Sequence, residues 1–284
     1  MLVDDWHPRI VTGPPAGSSE EKSWSDLLRE FAWIHRQMEH SLRATFAPVF
    51  LLFELKTLVL GLRNKAVENA AAVEALLGQS LLSAEVKEVL RAPGNARSTI
   101  ADLASELAVA GEGFGHLAAV YAKSGLRGFE NGLLRAFLEA AAGQRRHRVI
   151  DEFFVAFADL RNVITLYKHL RWEMDEPAPF VTGGRVEGAR LAKILAQHSA
   201  SDFDRLVKDV TGLPAAAEAE DEAALETVLL RAMTQQLRRT GRESEDIGVI
   251  LDYLWRVYVQ ARNLAVLHHG ANVAVERLER ELIA

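Results

Sequence analysis

The chain contains no cysteine in its 284 residues. That excludes disulfides, thiolate metal sites and a cysteine nucleophile, and it fits a reducing compartment. An excess of positive charge is also missing: 33 Lys and Arg stand against 39 Asp and Glu, a net charge of -6, so no overall basic field invites nucleic acid. The opening "MLVDDWHPRIVTGPP" has no cationic, apolar signal pattern, so a cytoplasmic location is expected. The most apolar run, Phe46 to Leu62, is broken by Glu54 and Lys56 and falls short of the ~20 apolar residues of a spanning helix. It reads as a buried helix of a chain without a direct membrane span. Alternating apolar and polar residues, the mark of a half-buried strand, are found nowhere.

What is present is helical material and a large core, with 49% of residues hydrophobic. Residues 1–24 collect Pro8, Gly13, Pro14, Pro15, Gly17, Ser18 and Ser19 and read as an irregular N-terminal tail. A helix is expected from Trp24 to about His40, and a second from near Pro48. A third lies within "ENAAAVEALLGQ" and closes on Gly78, and a fourth is capped by Ser83. Thr99–Val109, Gly132–Ala142 and a long stretch from Arg146 to Met174 follow, before "DEPAPFVTGGR" forces an extended loop. Arg190–Gln197, Ser201–Val210, Glu222–Gly241 and Asp246 to the end complete an all-α series.

One phrase recurs three times: "ELKTLVLGLRNK" from Glu54, "DLRNVITLYKHLR" from Asp159 and "QARNLAVLHHGAN" from Gln260, spaced 105 and 101 residues apart. In register, Lys56, Arg161 and Arg262 align, and so do Thr57, Asn162 and Asn263. Each copy carries an apolar stripe at alternating four- and three-residue steps: Phe153, Phe157, Leu160, Ile164 and Tyr167 match Pro48, Leu52, Leu55, Val59 and Leu62, and also Leu254, Tyr258, Ala261, Ala265 and His268. A period of this length makes each copy a lobe rather than a solenoid unit.

The stretch "FFVAFADLRNVITLYKHLRWEMDEPAPFVTGGRV" resembles the middle segment of the C subunit of archaeal and bacterial A/V-type ATPases, the homologue of the d subunit of the vacuolar proton pump. "DIGVILDYLWRVYVQARNLAVLHHGANVAVERLERELIA" is similar to that family's last helices, with the Arg262-Asn263-Leu264 step and a break at Gly270. "FAPVFLLFELKTLVLGLRNKA" is similar to its first repeat, with Thr57 where Asn is usual. The resemblance covers about residues 46 to 284, and the family begins with a longer helical segment where this chain has its Pro/Gly-rich tail. It implies an all-α funnel of three pseudo-symmetric lobes, here about 25–127, 128–200 and 201–284 within one domain, 25–284. The implied role is a non-catalytic socket between the membrane rotor ring and the central shaft of a rotary ATPase, peripheral to the membrane. The partners would be the shaft subunits and the proteolipid ring, with no cofactor and no active site. A stand-alone helical adaptor derived from the same fold is the alternative.

Signals for other chemistry are weak. "GEGFGHLAAVYAK" (111–123) has kinase-like glycines and a lysine but no catalytic-loop or metal-binding partner motif, and reads as a helix connection. "VTGGRV" lacks the Lys-Ser/Thr of a P-loop and reads as a turn. His35/His40 and His268/His269 lack ligand spacing, so no metal site is expected. The pairs Asp204/Asp209 and Glu218/Glu220 read as solvated helix surface. Basic "GQRRHR" (143–148) and "QQLRRTGR" (235–242) contrast with acidic "AEAEDEAALE" (217–226), and read as charged helix ends or as faces for differently charged partners. The candidate partner-contact or repeat-equivalent residues are Lys56, Arg161, Arg262, Asn162 and Asn263.

Overall fold

In a computed structural model the described residues are 19–144, 146–174, 177–212, 221–243, 246–269 and 275–283. Most of the expected tail, the Glu218/Glu220 pair and the Gly270 break lie outside them. Among the described residues there are thirteen α-helices and no strand. In chain order they are α1 (Ser19–Gln37), α2 (His40–Ala66), α3 (Ala70–Leu77), α4 (Ala84–Arg91), α5 (Ala96–Leu107), α6 (Glu112–Gly115), α7 (Leu117–Ala142), α8 (Arg148–Trp172), α9 (Gly188–Gln197), α10 (Ala200–Thr211), α11 (Glu222–Glu243), α12 (Ile247–His269) and α13 (Val275–Glu281).

Local chemistry accounts for most boundaries. Asn69, Ser83, Asn95 and Ser199 each accept a hydrogen bond from an amide of the first turn of α3, α4, α5 and α10, satisfying a donor that no helix carbonyl can reach. Gly212 ends α10 at φ 68. Basic side chains close other helix ends on exposed carbonyls: Arg43 donates to Arg36 and Met38 after α1, Lys65 to Val89, Leu90 and Ala92 after α4, and Arg231 to Arg280 and Leu282 after α13.

Three boundaries depart from expectation. The first helix begins at Ser19, inside the stretch expected to be irregular. The second begins at His40 and carries Pro48 in its interior. The missing Pro48 amide costs one ladder bond, and burial of Phe46, Val49, Phe50 and Phe53 around it offsets that loss. The 111–123 stretch is α6 and the start of α7 rather than a loose connection. Within α7, Gly125 at φ 64 and ψ -161 bends the helix sharply, so that Val120 and Leu117 pack against Gly132 and Ser124 against Gly128. A Cβ at position 128 would collide with Ser124 and one at position 132 would crowd Leu117, so glycine suits this close return of the chain on itself.

Buried apolar side chains form two clusters. The smaller gathers α3 to α7 around Leu58 and Leu62 at the C-terminal end of α2. The larger joins α1 and the first part of α2 to α8, α9, α10, α11 and α12. Its centre is an aromatic chain across four helices: Phe31 to Phe53 at 5.3 Å, Phe53 to Tyr258 at 4.8 Å, Tyr258 to Trp255 at 5.3 Å and Trp255 to Phe153 at 6.1 Å. The three helices that carry the repeated phrase therefore meet in one core. Among the described helices α2 alone is long and apolar enough to cross a membrane, and 67% of that window is buried inside the protein.

Candidate functional site

The repeated phrase is a device for gripping backbone. In the middle copy the Asn162 carboxamide accepts from the Val181 amide at 2.7 Å and donates to the Val181 carbonyl at 2.9 Å. Both peptide groups would otherwise be buried without a partner. In the third copy Asn263 does the same to Ile283, at 3.1 and 2.7 Å. The targets lie 19 and 20 residues downstream. Each pincer pins the chain that follows the phrase back onto its helix, without any regular secondary structure in the pinned segment.

The acidic position makes a second grip. Glu54 accepts from the Leu81 amide and, at 2.9 Å, from the Ser80 hydroxyl. Asp159 accepts from the Val186 amide at 3.0 Å. Both amides lie 27 residues beyond their carboxylates. Burial raises both carboxyls above their ordinary values, against the opposing effect of these amide bonds. The glycine pair of "VTGGRV" is built around Asp159. A Cβ on Gly184 would lie 2.2 Å from Asp159 Oδ1, and Gly183, at φ +94, would meet Ala142 at 2.5 Å. The pair provides more than a turn, because it lets the backbone pass against a buried carboxylate.

Thr57 breaks the pattern of the asparagines. Its hydroxyl accepts from the Trp24 indole at 3.0 Å and hydrogen-bonds the Glu54 carboxylate, tying α2 upstream to α1. The basic position is more varied. Lys56 lies over the Trp24 ring at 4.9 Å, Arg161 donates to the Asn131 side chain, and Arg262 donates to the Glu281 carbonyl at 3.1 Å. All three keep part of their surface exposed, whereas Asn162 is 1% exposed.

The sequence register located every one of these residues but not their partners. It missed Trp24, Ser80 and Gly184, which touch the phrase from outside it. The glycine doublet downstream of Asp159 was the only available signal for Gly184. The basic 143–148 cluster also turns inward in part: the Arg146 guanidinium lies 4.9 Å over Phe154, pairs with Asp151 at 3.5 Å and donates to the Ala141 carbonyl at the end of α7.

No curated protein matches the chain. The family model described as ATP synthase (C/AC39) subunit matches residues 12–279, reaching upstream of the stretch in which the sequence resemblance is visible and taking in all of α1. The chain belongs to that family and is a subunit of a V/A-type ATP synthase, the membrane-associated rotary complex in which it partners other subunits.

Proposed function

We propose that the chain is the non-catalytic central-stalk socket of its rotary ATPase, coupling the membrane rotor ring to the central shaft during ion transport linked to ATP synthesis or hydrolysis. The observation that carries this reading is the convergence of three phrase-bearing helices, α2, α8 and α12, on one aromatic core, each fixing the backbone of its own neighbourhood. A part that turns coaxially with a ring needs contacts distributed about an axis, and three related lobes of a funnel supply them from one polypeptide. Transmitting torque requires stiffness, and densely packed helices resist compression. On this reading the protein sits on the cytoplasmic side, peripheral to the membrane, and has no active site of its own. Lys56, Arg161 and Arg262, half-exposed at one register, are the contact residues proposed around the axis. Asn162 and Asn263 hold the segments beside them. The N-terminal helix is part of this body: α1 begins at Ser19 and packs against α12, with Glu30 accepting from the Tyr253 hydroxyl at 2.7 Å.

The test is removal of the chain from the purified complex. ATP hydrolysis should persist while ATP-driven ion transport is lost, and adding the chain back should restore it together with co-purification of shaft and ring. Transport that continues unchanged without the chain would refute the socket. Arg262→Glu probes one proposed contact. Retained thermal midpoint with salt-dependent loss of co-purification supports a partner role. A lowered midpoint with normal assembly of the folded fraction assigns Arg262 wholly to holding Glu281.

A further inference from the structure

Two large clefts differ in charge. The one between α8, α10 and α11 mixes signs, with Arg185, Arg190 and Arg239 beside Asp159, Asp209 and Glu243. The other, about 700 Å³ between α7, α8 and the 177–181 segment, is lined among the described residues by Lys123, Arg127, Arg135, Arg161 and Lys168 and by no carboxylate. Arg127, Asn131 and Arg135 follow at four-residue steps beyond the Gly125 bend, so they share one helix face over about 12 Å. Arg161, Thr165 and His169 repeat that spacing on α8. Some of this charge is already engaged: Lys168 pairs with Glu222 at 2.5 Å, Arg135 reaches Glu139 at 4.0 Å, Arg161 lies in the field of Glu226, Glu130 and Glu222, and Lys123 has an interaction of its own.

A second observation points to a missing partner. His169 is only 4% exposed and lines this cleft, yet among the described residues its Nδ1 has no hydrogen-bond partner. Buried polar atoms are normally satisfied. At the rim Trp172 and Met174 are 51% and 43% exposed, an amphipathic anchor pair beside a charged surface.

We propose that this cleft docks an acidic α-helix of a partner protein. Carboxylates four residues apart on such a helix would stand about 6 Å apart and face the arginines of α7 and α8 in step. A polar side chain would reach His169 Nδ1, and an apolar flank would cover Trp172 and Met174. A single phosphate fits less well, because the cations are strung along two helices rather than converging on one point. Guanidinium forks also suit carboxylates two oxygens at a time. Arg161 is shared with the contacts proposed above, but the cleft itself does not depend on the coupling role, and failure of the experiment below leaves that role standing.

The experiment titrates the full chain into a labelled, Ala-rich peptide of about 16 residues, long enough to be partly helical, with Glu at every fourth position and Leu beside it. Fluorescence anisotropy should report saturable binding that weakens with salt. Arg127→Glu with Arg135→Glu should weaken it about tenfold or more, while Arg190→Glu in the other cleft changes nothing. The double variant should instead take the same peptide with Lys in place of Glu, a gain that a merely unfolded protein could not show. His169→Gln should bind better than His169→Phe. Absence of binding, binding indifferent to the double reversal, or Arg127- and Arg135-dependent capture of phosphatidylserine vesicles in preference to the peptide would each overturn the proposal.

Discussion

Asn162 and Thr57 occupy the same register on α8 and α2, yet they face opposite ways along the chain. Asn162 reaches forward to Val181 and holds both of its peptide groups, while Thr57 reaches back to Trp24 and to Glu54 on its own helix. The middle copy thus has two forward grips, Asp159 on Val186 and Asn162 on Val181, and the first copy has one, Glu54 on Ser80 and Leu81. The difference follows from what each helix must hold. After α8 comes a segment without a regular ladder, 177–187, whose peptide groups need side chains. After α2 come α3 and α4, whose helical ladders satisfy most of their backbone groups and whose first turns carry their own caps at Asn69 and Ser83, while Lys65 of α2 closes the last carbonyls of α4. Where downstream structure is self-sufficient, the register position is available to fasten an upstream helix.

The largest expected effect comes from the middle copy. Asn162→Ala strands the buried Val181 amide and carbonyl together, at about 1–3 kcal/mol each. Chemical denaturation should show a loss of about 2–6 kcal/mol, and amide exchange at Val181 should accelerate. Asn263→Ala, at a half-exposed site where water can replace the side chain, should cost about 1–2 kcal/mol. Equal losses at the two positions would break the account, because burial is what separates them.

Gly184→Ala comes next. Its new Cβ meets Asp159 Oδ1 at 2.2 Å and the Asp159 amide nitrogen at 3.4 Å, so the 183–186 backbone must shift away from its carboxylate. A cost of about 1–3 kcal/mol is expected, and it should shrink in an Asp159→Ala background, since the two residues share one contact. Additive losses would mean that Gly184 is there for the turn alone.

The contrast between copies also shows which part of the molecule a sequence discloses. Repeat register and helix periodicity are local and regular, so the all-α class, the cap at Ser83 and the five aligned polar residues are all legible. The grips join positions 19 to 27 residues apart and land on irregular chain, where neither period applies, so their targets are not legible. The start of α1 at Ser19 was hidden because prolines and glycines just upstream dominate the composition, while the packing of Trp24, Leu27, Leu28 and Phe31 that makes the helix worthwhile is tertiary. The Gly125 bend was hidden for a similar reason: a lone glycine inside helix-forming sequence reads as a weak break, not as a reversal packed on Gly128 and Gly132.

Thr57→Val sharpens the upstream half of the comparison. Valine keeps the volume and removes the hydroxyl, leaving the buried Trp24 indole N–H without its acceptor, at about 1–2 kcal/mol. Because Lys56 also lies over the Trp24 ring, the indole should stay in place and its emission should shift as the N–H loses its bond. An unchanged spectrum and unchanged stability would show that Thr57 does not fasten α1.

The smallest effect is at Glu54, and its sign is what matters. Burial holds the Glu54 carboxyl above its ordinary 4.5, more than the Leu81 amide, the Thr57 and Ser80 side chains and the Lys87 charge pull it down. The folded protein therefore binds this proton more tightly than the unfolded chain. That contribution to stability is fully present below about 4.5 and is lost as pH rises through the raised folded value. Glu54→Gln removes the titration, keeps an oxygen for the Leu81 amide and offers an NH₂ to the Ser80 hydroxyl, so at low pH it should match the wild type within about 1 kcal/mol. As pH climbs from 4.5 the wild type alone loses this contribution, so the midpoint of the variant minus that of the wild type should rise and then level off. Asp159 and the other carboxyls titrate in both proteins and cancel in that difference. A difference that falls with pH would mean that the grip on Ser80 and Leu81 outweighs burial, and Glu54 would then be a charged clamp at neutral pH rather than one weakened by its own ionisation.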